Sequence, residues 1–207
     1  MTPALTGLRS YLEHMASMRM GMGRLPKGFH YAGIEDFVLD RGEAFESQRL
    51  TIPEFDLVKR TAQDMTFQIK ECFYNAQRLV ALREHGDQLH YYEGIATCGL
   101  LPVHHGWVVI GGKVVDFTWR LRDNPEFHLS VNAHKNMLKD RIWGRFPENW
   151  AYIGVEFPVE MILETMDARA ASISMLDDWE GGWPCFRWER QGPMPEPLVL
   201  PNQEATP

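Results

Sequence analysis

Cysteine is scarce in this chain. Its 207 residues hold three, Cys72, Cys98 and Cys185, an odd number with no C-x-x-C spacing. That pattern excludes a disulfide scaffold and argues against a four-cysteine zinc site, and free thiols predict a reducing, cytoplasmic setting. A zinc set built from Cys98, His104, His105 and Cys185 is also disfavoured. Cys98 and His105 stand seven residues apart, and adjacent histidines on a strand point to opposite faces. Positive charge is short as well: 21 Lys and Arg against 28 Asp and Glu leave a net charge of −7, with no long basic run. Neither nucleic acid nor an anionic membrane surface is therefore an expected partner. No stretch approaches 18 consecutive apolar residues, and no basic start followed by seven apolar residues opens the chain, so neither a membrane span nor a secretory signal is expected. A GxGxxG phosphate loop and an EF-hand-like acidic loop are both missing. No cofactor and no metal is expected.

What is present suits an α+β domain. Hydrophobic residues make up 44% and charged residues 24%, ordinary for a globular protein able to bury a core without cross-links. An amphipathic stretch from Leu8 to Met20, rich in methionine, predicts a terminal helix. Residues 29–55 give mixed signals of loop and short element. From Phe55 to about Glu84 apolar residues recur at three- and four-residue spacings, which predicts helix, with a break near 67–71 because thirty residues is long for one helix. The period then changes. LHYYEGIATCG reads as a strand, HHGWVVI and KVVDFTW as a hairpin about Gly111-Gly112, and AYIGVEF as a further strand before a helix starting at Pro158. Another helix is expected near 133–142. Trp179, Trp183 and Trp188 with Gly181-Gly182 suggest a bulky loop. The reading is one α+β domain over 1–190, helices packed on a mainly antiparallel β-sheet, followed by a Pro-rich extended tail at 191–207.

The hairpin carries the chemistry. With Gly111-Gly112 as a two-residue turn, Ile110 pairs with Lys113, Trp107 falls opposite Asp116 and His105 opposite Thr118. Residues 105, 107 and 109 then share a face with 114, 116 and 118. His105 and Asp116 become diagonal neighbours, within reach of a carboxylate orienting an imidazole, while His104 faces the other way. A cysteine nucleophile needs a base to take its proton and gains from a helix N-terminus. Cys72, followed by FYNAQRLVAL, is the cysteine that precedes a strong helical run. Cys72, His105 and Asp116 thus supply nucleophile, base and orienting carboxylate. Gln68 is a candidate oxyanion donor beside the backbone N–H of Cys72. Trp107, Tyr92 and Glu93 are candidate pocket residues.

The run Cys72-Phe-Tyr-Asn-Ala, then Tyr92-Glu93-Gly94, His105-Gly-Trp107 and Val115-Asp116-Phe-Thr118 resembles the transglutaminase-like branch of the papain-like cysteine enzymes. The likeness covers roughly residues 68–119. It implies a helix packed on an antiparallel sheet and acyl-enzyme chemistry at a Cys-His-Asp triad, as in peptidases, amidases, deamidases and transglutaminases. The expected function is a thiol-dependent hydrolase or acyltransferase acting on an amide or ester of a protein, peptide or small molecule. The alternative is a non-catalytic accessory protein on the same fold, meeting a protein partner through its Met-rich N-terminus and Trp-rich C-terminal segment.

Overall fold

The computed structural model describes residues 1–22, 31–62, 65–68, 70–81, 88–119, 144–169, 171–176, 179–180 and 183–184. The helix expected near 133–142, the tail at 191–207, Cys185 and Trp188 lie outside the described residues.

The chain opens with α1 (Pro3–Gly21), where Thr2 caps the helix by accepting the Leu5 N–H and Pro3 fills the first turn. The mixed region resolves into α2 (Ile34–Arg41) and a two-residue strand β1 (Glu43–Ala44). Two helices, α3 (Ile52–Ala62) and α4 (Cys72–Ala81), share the stretch read as helical over 55–84. The helical spacing misleads in between. Met65 and Phe67 are buried from irregular backbone, so they keep an apolar rhythm without a helix. Lys70, at φ 68°, then takes a left-handed conformation that stops any helix from running into Cys72.

The strands follow: β2 (His90–Cys98), β3 (Val103–Ile110), β4 (Lys113–Val115) and β5 (Trp150–Phe157). With β1 they form one five-stranded antiparallel sheet in the order β1-β5-β2-β3-β4. The fold is α+β. Gly111 and Gly112 both adopt positive φ, 53° and 74°, the backbone of a tight two-residue hairpin turn, and they set Ile110 opposite Lys113. After β5 come α5 (Val159–Arg169) and a small ribbon of β6 (Trp179–Glu180) and β7 (Trp183–Pro184).

Strand β2 lies at the centre of the sheet and is buried along nearly its whole length, because both faces are covered. On one face a large core joins Tyr91, Ile95, Val108 and Ile110 to apolar residues of α1 to α5. On the other a smaller, aromatic-rich cluster joins Phe45, Tyr92, Trp107, Trp119, Trp150 and Tyr152. Among the described residues no helix is long and apolar enough to cross a membrane.

Candidate active site

Cys72 is the first residue of α4, and Glu71 before it provides the carbonyl that accepts the first helical hydrogen bond, from Asn75. The sulfur therefore stands at the positive end of the helix dipole, beside backbone N–H groups that have no partner within the helix. What brings α4 this close to the sheet is Gly106 of β3. A Cβ at that position would come within 2.9 Å of the Phe73 ring and 3.0 Å of the Tyr91 hydroxyl. The first turn of α4 rests on bare backbone there, next to His105.

His105 and Asp116 meet as the hairpin register requires, with Nε2 and Oδ2 2.7 Å apart. The route differs in one respect. Pairing of β3 with β4 ends at Val108 and Val115, so Trp107 and His105 do not lie opposite Asp116 and Thr118 in a continued ladder. Asp116 leaves the strand because its own Oδ1 accepts the Trp119 N–H at 3.0 Å, capping a single helical turn at 117–119. The other oxygen remains for the imidazole. Nε2 being so engaged, Nδ1 is the ring nitrogen left toward the Cys72 side chain, which lies near enough to raise the His105 pKa.

All three groups are buried: Cys72 is 9% exposed, His105 2% and Asp116 5%. Burial alone would lower the His105 pKa, but the Asp116 carboxylate outweighs it, and with Cys72 nearby the imidazole is pushed up to about 10. Burial would raise Asp116, yet it is held below the usual carboxylate range by the His105 charge, the Trp119 N–H and the Tyr152 hydroxyl. The Trp119 ring lies over the imidazole, centroids 4.2 Å apart and planes 13° from parallel, a face suited to an imidazolium. The crevice between α4 and the hairpin, lined by Asn75, Gly106 and Asp116 among others, measures about 10 Å³, room for one water at most. Charges here interact with little screening.

The remaining sequence candidates separate. Trp107 is fully buried behind His105, ring centroids 6.2 Å apart, and packs so tightly on Gly154 that a Cβ there would clash with its ring. Tyr92 is paired with Trp107 across β2 and β3 and joins the same aromatic layer. Glu93 turns to the opposite face and accepts bonds from the Tyr91 and Ser174 hydroxyls, from His104 and from the Met175 and Leu176 N–H groups. His104 thus belongs to Glu93 at 2.7 Å, as its place on the other face requires. Gln68 is exposed in the loop before α4, and what anchors it is its backbone.

That anchor is Asn75, which the sequence reading passed over. Its Oδ1 accepts the Gln68 N–H at 2.8 Å, while Nδ2 donates to the Gln68 carbonyl at 2.7 Å and to Thr118 Oγ1 at 2.8 Å. An asparagine three residues into a strongly amphipathic helix, on its apolar side, was the available signal. Tyr152 and Trp119 were passed over too.

Among the described residues no group of three or more His, Cys, Asp or Glu side chains is arranged to hold a metal ion. Cys72 and Cys98 are both free thiols. Compared with family models, curated proteins and solved structures, the chain matches none.

Proposed function

We propose that this protein is a thiol-dependent hydrolase or acyltransferase of amide or ester bonds, working through Cys72, His105 and Asp116. One observation carries the reading: a helix-opening cysteine beside an imidazole whose Nε2 is 2.7 Å from a buried carboxylate. His105 takes the Cys72 proton, and the resulting thiolate attacks the carbonyl carbon. Asp116 fixes the ring and stabilises the imidazolium. The tetrahedral oxyanion draws on the backbone N–H groups at the start of α4, with Gln68 a candidate further donor. Collapse transfers the His105 proton to the departing amine or alcohol and leaves a thioester on Cys72. Water, or an acceptor amine, then attacks the thioester while His105 takes its proton, and the thiol is restored.

The substrate class is an amide or ester of a protein, peptide or small molecule. The free thiols suit a reducing compartment such as the cytoplasm.

Iodoacetamide tests the reading, because it reports the thiolate. At pH 6 we expect Cys72 to be alkylated at least about tenfold faster than Cys98 in the folded chain, with mass mapping to distinguish the sites. Equal and slow labelling of the two would reject the enzymatic reading in favour of a non-catalytic binding protein.

A further inference from the structure

The Asp116 carboxylate has more partners than a triad needs. Oδ1 accepts the Trp119 N–H, and Oδ2 accepts both His105 Nε2 at 2.7 Å and the Tyr152 hydroxyl at 3.0 Å. Tyr152 belongs to β5, separated from β3 by the whole of β2. In register, Tyr152 is paired with Ala96, and the next row on that side is Gly154, Gly94 and His105. Small residues in β2 at 94 and 96 leave the space over the central strand through which a phenol can reach the far side of the sheet. The phenol is fully buried and makes ring contacts with Trp107, Trp119 and Phe146.

We propose that Tyr152 is a positioning residue of the triad, its hydroxyl holding Asp116 ionised and turned so that Oδ2 faces His105. A carboxylate with one oxygen bonded to the backbone and the other shared by two donors has no freedom to rotate. The donor also favours the charged form, so the carboxylate stays an acceptor as the medium acidifies. The groups that face Asp116 are His105 from β3, Tyr152 from β5, and, through the imidazole, Cys72 from α4. The role proposed for Tyr152 runs through Asp116 alone. The inference rests on the reading of Cys72 as a nucleophile.

The test is the pH profile of Cys72 alkylation by iodoacetamide in the full chain. Tyr152→Phe keeps the ring and its packing and removes only the donor. A lost charge-assisted bond should move the acidic limb of the profile up by about one pH unit, so that the rate on that limb falls about tenfold. A fluorotyrosine installed at position 152, a stronger donor of nearly the same shape, should move the limb down. It keeps the question decidable if the phenylalanine variant folds poorly. Should both profiles superimpose on that of the native chain while native Cys72 still outpaces Cys98, the role of Tyr152 is refuted and the nucleophile reading stands. Should native Cys72 react no faster than Cys98, the nucleophile reading fails and the role of Tyr152 with it.

Discussion

At the scale of single residues, the site depends on an imidazole kept charged in a dry place. Burial opposes the charge of His105, and the neighbouring carboxylate and thiol together overcome that opposition. Replacing His105 with alanine removes both the proton acceptor and the cation that stabilises the thiolate. If His105 serves as its base, alkylation of Cys72 should drop on the order of thirtyfold at pH 6 and change little at pH 9. Stopped-flow labelling at the two pH values checks this, and a uniform drop at both would point to misfolding instead. The sequence disclosed the His105–Asp116 pairing because two glycines in succession name a turn and the turn fixes the register. It could not disclose Tyr152, which lies 36 residues beyond Asp116 and meets it only because of strand order. The break near 67–71 was legible, but nothing in a lysine announces that it is made by a left-handed residue at Lys70.

At the scale of elements, the deciding contact is that of α4 with β3 at Gly106. Its missing side chain admits the Phe73 ring, and the first turn of the helix follows. Gly106→Ala should push that turn outward by a few tenths of an ångström, moving Cys72 away from His105. Overpacking of this size costs about 1–2 kcal/mol. We expect a lower urea midpoint together with slower Cys72 alkylation, about tenfold at pH 6. A lower midpoint with native labelling would place the strain elsewhere. The helical periodicity over 55–84 found α3 and α4 and the break near 67–71, but not that the irregular backbone already includes Met65. Met65 and Phe67 face the core from coil, and burial imposes an apolar rhythm whatever the backbone does. The helices on the sheet were legible because their cores repeat every three or four residues. The departure of Asp116 from its strand was not, since a capping bond and a strand bond use the same residue types.

For the molecule as a whole, two buried carboxylates set the response to acid. Glu93, fully buried, is held below the usual carboxylate range although burial pushes it up, because His104, Ser174 and Tyr91 all bond to it. Asp116 is lowered in the same sense. For a carboxylate whose native pKa is depressed, the stabilisation is complete above the unfolded-state value of about 4 and is lost as the pH falls through the native value. His105, raised to about 10, acts in the opposite sense, so the urea midpoint should rise slightly from pH 7 to 5 and then fall steeply below about pH 4. Glu93→Gln leaves several donors without an acceptor and should cost about 3 kcal/mol at pH 7, while making the acid fall shallower. A variant with an unchanged acid limb would assign that limb to other groups. In the sequence Glu93 stood out as a candidate pocket residue. Its tie to residues 174–176, across some eighty positions, was beyond any local signal.

Asn75 gives the molecule a particular mechanical character. One amide grips the backbone leading into the nucleophile and, on its far side, the threonine two places past the orienting acid. The loop before Cys72 and the turn after Asp116 are thereby tied to each other as well as to the sheet. Without that one amide, the two segments would lose the tie they share.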